Sequence, residues 1–95
     1  MFTVVKHKGR KSGTQYETIV SSTRKDNLLA IGLMHGKTNW VKNVLAAGEA
    51  DVRVGGEDVH ITNPRLVFKG DADPALPDAV RSMAKRVGVF VADIA

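Results

Sequence analysis

The sequence predicts a small antiparallel α+β domain that closes toward a barrel. Two observations predict it. Short segments rich in Val and Thr are joined by glycine-containing turns, the pattern of hairpin-linked strands. Only two segments carry apolar residues at helical spacing, so the strand–helix alternation of a doubly wound sheet is missing. The chain has 95 residues, which reads as one domain spanning 1–95, without repeats, linkers or low-complexity tracts.

Phe2 to Lys8 is rich in Val and Thr and reads as a strand. "GRKSG" is a turn between Gly9 and Gly13, and Thr14 to Ser21 is a second strand. "TRKDN" reads as the next turn. Leu28 to Met34 is a continuous apolar run, expected for a central strand buried on both faces. The period then changes. Trp40, Val41, Val44 and Leu45 recur at helical spacing, with Thr38 or Asn39 as cap, Gly48 as stop, and Lys42 and Asn43 on the other face. "ADVRV" and "EDVHITN" alternate around Gly55-Gly56, a two-residue hairpin signal. Leu66 to Phe68 extends the sheet after Pro64. A second helix is expected over "DADPALPDAVRSMAKRVG", with Pro74 or Pro77 in its first turn and Leu76, Val80, Met83, Ala84 and Val87 as its stripe. "VFVADI" closes the sheet as a last strand.

Composition narrows the function. The chain has no cysteine, no apolar run long enough to span a membrane and no signal-peptide core, so a cytosolic protein is expected. The net charge of +4 is unevenly placed. Residues 1–25 hold 6 basic side chains against Glu17, whereas the other seventy hold 8 basic and 9 acidic. A one-ended positive field attracts nucleic acid, an acidic membrane surface or a polyanionic small molecule.

Several chemistries are excluded. Gly9 and Gly13 are one residue too close for a P-loop, and Thr14 stands where its lysine would be. His7, His35 and His60 are dispersed without cysteines, so no metal site is expected and each reads as an ordinary surface or loop histidine. Glu57 and Asp58 are adjacent on a strand and point to opposite faces, a solvated hairpin tip. Ser12 has no nucleophile-elbow context, and no catalytic residue is assigned. The aromatic residues do not cluster as a base-stacking surface, so no nucleic-acid partner is expected.

The basic turn remains. Arg10 forks onto phosphate oxygens, Lys11 adds a mobile point charge, and turn amides form a shallow nest. On spacing alone it reads either as a phosphate site or as a solvated turn. A second anion-binding candidate is "MHGKTNW", where Gly36 admits close backbone approach and the helix start at Thr38 and Asn39 offers free N–H groups. Trp40 reads as core.

These residues carry a resemblance. His7-Lys8-Gly9-Arg10-Lys11-Ser12-Gly13 is similar to a T-T-G-R-[KR]-[ST]-G motif. Gly36 through Asn39, Trp40, Asn43, Val44 and Ala46 match a second motif, and Thr62-Asn63-Pro64-Arg65 a third. In this order the chain resembles the deazaflavin-dependent nitroreductases, which use coenzyme F420 on a split β-barrel related to flavin-binding oxidoreductases. The resemblance implies hydride transfer from reduced F420 to a hydrophobic electrophilic acceptor such as a quinone, enone or nitro compound. By position, it implies that Arg10, Lys11, Ser12 and Gly13 hold the cofactor's phosphodiester. Lys6 and Lys8 lie near its oligoglutamate tail, and Tyr16 contacts the cofactor. Leu33, Met34, His35, Gly36 and Lys37 border the deazaflavin ring, and the helix from Asn39 packs under it, with Trp40 and Asn43 mainly structural. Family members usually begin with a helix that covers the substrate pocket; this chain starts at the strand, so another subunit would supply that lid or it is absent. The family's late tyrosine is also absent. The alternative is a non-catalytic binding protein for F420, a flavin such as FMN or a similar flat anion. A homodimer is expected to cover apolar surface and strand edges.

Overall fold

The computed structural model describes residues 1–34, 36, 38–70, 74 and 76–95. Among the described residues, seven antiparallel strands form one curled sheet that carries two helices, a small split-barrel-like α+β fold. In chain order the elements are β1 (Phe2–Lys8), β2 (Gln15–Ser21), β3 (Thr23–Lys25), β4 (Leu28–Gly32), α1 (Asn39–Ala47), β5 (Glu49–Val54), β6 (Glu57–Val67), α2 (Asp78–Ala84) and β7 (Val89–Ile94). Across the sheet the order is β2-β1-β5-β6-β7-β4-β3.

The alternation in β1 sends Thr3, Val5 and His7 inward, and β5 answers with Ala50, Val52 and Val54. Val5 lies opposite Val52, and Thr3 opposite Val54. The β1–β5 pairing ends at Lys6 and Asp51, although β1 stays paired with β2 out to Lys8, and β5 with β6 back to Glu49. The sheet therefore opens at the end of β1 that leads into the basic turn.

Of the apolar run expected over Leu28 to Met34, Leu28–Gly32 forms β4 and is buried on both faces, but the strand stops there, with Leu33 half-buried and Met34 exposed. Leu29 and Ile31 join one core with Trp40, Val41, Val44 and Phe90 under α1, while Ala30 joins a second with Val80, Ala84 and Val89 under α2. Trp40 meets Phe90 edge-on at 5.0 Å between ring centroids, which confirms it as core.

Three further elements differ from the sequence expectation. "TRKDN" is not only a turn: Thr23–Lys25 pairs with Leu28–Ala30 around Asp26-Asn27, making an edge hairpin. The segment from Glu57 is one long strand with a bulge. Thr62 faces Asp93 and Arg65 faces Val91, so Asn63 and Pro64 together stand opposite Ala92. Pro64 lacks an N–H to give the ladder. The extra residue flips the side-chain parity, so Ile61 before the bulge and Leu66 after it both reach the α1-side core. Asn63 Nδ2 and Arg65 Nη1 each donate to the Asp93 carboxylate at 3.1 Å, which locks the bulge. Finally, α2 is shorter than expected. It starts after Pro77 and ends at Ala84, leaving Lys85, Arg86 and Val87 beyond it. Asp71, Ala72, Asp73 and Ala75 of the expected helix lie outside the described residues.

Candidate functional site

The β1–β2 hairpin presents the basic turn at the open end of the sheet. Gly9 N–H donates to Thr14 O and Gly13 N–H to Gly9 O, both at 2.8 Å. Gly13 takes φ of +73°, where a β-carbon is strained. A β-carbon on Gly9 would lie 2.5 Å from Ser12 Oγ, so glycine lets the Ser12 hydroxyl fold back to accept the Thr14 amide. Among the described residues, the Lys11 and Ser12 amides have no protein partner. Two successive amides, the Lys11 ammonium and the outer donors of the Arg10 guanidinium thus make an exposed donor set suited to an oxyanion. Neither Arg10 nor Lys11 is in an ion pair among the described residues.

The turn is held from below by Asn43. Asn43 Oδ1 accepts from the Arg10 backbone N–H at 3.1 Å and from Arg10 Nη1 at 2.9 Å. Asn43 Nδ2 lies 3.1 Å from His7 Nδ1, and His7 Nε2 lies 2.8 Å from Thr18 Oγ1. The Tyr16 ring stacks on His7 at 5.6 Å. Asn43 and His7 are only 4% and 9% exposed. Both placements correct the sequence reading, which put Asn43 on the outer helix face and His7 on the surface. Asn43 is buried because α1 presents a wide inner face, with Trp40, Val41 and Val44 beside it. His7 is buried because it continues the inward register of Thr3 and Val5. Both could have been found in the sequence, since His7 keeps the period of two and Asn43 lies one turn from Trp40. Burial pushes the His7 imidazole below its ordinary value of 6.5.

Two open grooves flank this network. One, of about 410 Å³, is lined by His7, Gly9, Arg10, Lys11, Ser12, Tyr16 and Asn39 among others. The other, of about 690 Å³, follows the gap between β1 and β5 and meets the first at His7, Tyr16 and Glu17. Its rim carries Lys6 and Lys8 but also Glu17, Glu49 and Asp51. Lys6 faces Glu17 on one neighbouring strand and Asp51 on the other, so much of the positive field at this rim is offset.

Of the residues expected to bind cofactor, Arg10, Lys11, Ser12, Tyr16 and Asn39 come together on the smaller groove, and Lys8 lies on the larger. Gly13 shapes the turn. Leu33 packs against the α1-side core, Met34 is exposed and Gly36 donates to Leu33 O; among the described residues none of the three lines either groove. His35 and Lys37 lie outside the described residues. His60 is the surface histidine expected, held by Asp51 at 2.8 Å and Glu49 at 3.3 Å, and the bond to Asp51 raises its pKa. Among the described residues no cluster of His, Asp and Glu is placed to hold a metal, and no helix is long and apolar enough to cross a membrane.

No family model matches the chain, and no curated protein matches it. Solved structures do. One is an F420-H2 dependent reductase (FDR-A), 16% identical, with a TM-score of 0.66 over 97% of this chain and 93% of the other. At that identity the likeness carries the architecture: this chain has the fold of an F420-H2 dependent reductase.

Proposed function

We propose that the chain binds coenzyme F420 through the Gly9–Gly13 turn and transfers a hydride from its reduced form to an electrophilic, hydrophobic acceptor such as a quinone, enone or nitro compound. The observation that carries the reading is the donor set of the turn. Arg10 and Lys11 stand outside any ion pair among the described residues, beside two open amides, on a fold shared with an F420-H2 dependent reductase. That donor set fits a phosphodiester: a planar guanidinium fork, a mobile ammonium and a two-amide nest complement an anionic oxygen pair. When bound, the deazaflavin supplies the hydride, and the protein supplies binding, orientation and a shaped groove.

Each residue then has a role. Arg10 and Lys11 neutralise the phosphodiester, and the Ser12 hydroxyl, which accepts from Thr14, donates its own proton outward. The exposed Tyr16 ring, backed by His7, walls both grooves. Lys8 meets the acidic tail from the larger groove. The absence of cysteine suits a reducing cytosol. A second copy of the chain is the proposed cover for β2, an edge strand whose Ile19 is exposed next to Phe2 and Val4.

The test mixes the protein with reduced F420 and a quinone and follows the return of oxidised-deazaflavin absorbance. Turnover above the protein-free rate supports the reductase. Saturable binding without acceptor-dependent oxidation assigns a non-catalytic F420 protein instead. Sedimentation velocity reads the oligomeric state, and a monomer at high concentration rules out the second copy.

A further inference from the structure

Asn43 touches two elements at once. Its side chain reaches from α1 to the turn through Arg10 and to β1 through His7, which continues to Thr18 on β2. We infer that Asn43 and His7 are positioning residues for the basic turn: neutral His7 orients the Asn43 amide so that its oxygen holds Arg10, and protonation of His7 releases the turn. The consequence for the cofactor rests on the F420 reading above; the coupling between His7 and Arg10 does not.

A backbone N–H and a guanidinium only donate. Both reach the same Asn43 atom, which must therefore be the oxygen. The NH2 of that amide then faces His7 Nδ1, so Nδ1 must be the bare, accepting nitrogen. The ring proton sits on Nε2 and donates to Thr18 Oγ1. His7 is thus held as one neutral tautomer by contacts that begin at Arg10. A proton added at Nδ1 would set two donors face to face. Turning the Asn43 amide over relieves that contact but aims its NH2 at the Arg10 donors. Neither arrangement satisfies both ends, so His7 protonation and the Arg10 clasp exclude each other. Burial, which already disfavours the imidazolium, acts in the same direction.

The groups around His7 do not reverse this. Lys6 and Lys8 flank it on β1, Tyr16 and Glu17 lie on β2, and Arg10 and Lys11 on the turn. Glu49 and Asp51 on β5 and His60 on β6 line the same groove, where both carboxylates already contact His60.

The functional consequence has an unusual sign. A phosphodiester keeps its single negative charge across mildly acidic pH. Coulomb attraction alone would make it bind more tightly as His7 gains a proton. The clasp predicts weaker binding, because the freed Arg10 must be ordered again.

The test is NMR of the full chain between pH 4.5 and 8, following the His7 ring and the Arg10 backbone amide. The Arg10 amide shift is expected to titrate with the His7 midpoint, and to lose that inflection in His7→Gln. An Arg10 amide that stays flat through the His7 titration overturns the inference. Asn43→Asp provides an independent arm, since a carboxylate accepts from Arg10 and from protonated His7 together. It is expected to raise the His7 midpoint and keep the Arg10 amide in its clasped position at acid pH. Release at acid pH in that variant also overturns the inference. F420 titration completes the test: affinity should fall at least about five-fold from pH 7.5 to pH 5, the low end of typical couplings between sites. Affinity that rises on acidification contradicts the clasp's role in binding. Failure to bind F420 at any pH sinks the cofactor reading and leaves the clasp to be decided by the Arg10 amide.

Discussion

Replacing Asn43 with alanine removes three hydrogen bonds from one buried position. Two are neutral, to the Arg10 backbone N–H and to His7 Nδ1. The third is charge-assisted, from Arg10 Nη1. Neutral bonds contribute about 1 kcal/mol each and charged ones about 1.5–3 kcal/mol. Arg10 is exposed and regains water, so the charged bond belongs at the low end. His7 is buried, so its bare nitrogen loses a partner that water replaces poorly. The expected loss is about 2–4 kcal/mol, read as a lower urea midpoint at unchanged slope. The same variant in an Arg10→Ala background should cost less than in the parent, with a coupling of about 0.5–3 kcal/mol. A loss under about 0.5 kcal/mol, or strict additivity with Arg10→Ala, would refute the claim that Asn43 holds the turn.

Four further outcomes follow from the geometry. Arg10→Ala with Lys11→Ala should weaken F420 binding by about 1.5–3 kcal/mol per charged hydrogen bond lost; parental affinity in calorimetry would remove the turn from the site. His60 has a raised pKa from Asp51, so its stabilising pairs are fully present below 6.5 and are lost as pH rises through the folded value. His60→Gln should therefore destabilise at pH 5.5 and matter little at pH 8.5, and a pH-independent difference in urea unfolding would contradict the pairing. His7 has the opposite sign: its stability contribution is present above 6.5 and is lost as pH falls through the lowered folded value. Asp93→Ala should loosen the Asn63–Arg65 bulge, whose side chains both bond that carboxylate. Faster amide exchange confined to the β6–β7 pairing is expected, and unchanged exchange there would show the bulge to be held by Pro64 alone.

Elements governed by local chemistry were legible in the sequence. Gly55 and Gly56 both take positive φ, +55° and +89°, so the hairpin between β5 and β6 was written in two residues. The unbroken apolar run of β4 announced burial on both faces, and the stripe of Trp40, Val41 and Val44 announced α1. Elements that exist through distant partners were less visible. Thr23–Lys25 is polar and becomes a strand because β4 offers it an edge. Leu66 belongs to β6 because a bulge at Asn63-Pro64 restores its parity, which no local periodicity encodes. The site divides in the same way. Arg10 and Lys11 stand out by composition, whereas the clasp beneath them joins residues 36 apart in the chain. Asn43 looks like an ordinary polar residue on a helix until β1 brings His7 against it.

The central claim is that the chain binds F420 with the Gly9–Gly13 turn holding its phosphodiester. The most direct measurement is a fluorescence titration of the purified chain with F420 and, in parallel, with FMN. The account predicts saturable binding of F420 that clearly exceeds FMN and is lost in the Arg10→Ala, Lys11→Ala variant. Failure of F420 to saturate, or equal binding by that variant, would contradict it.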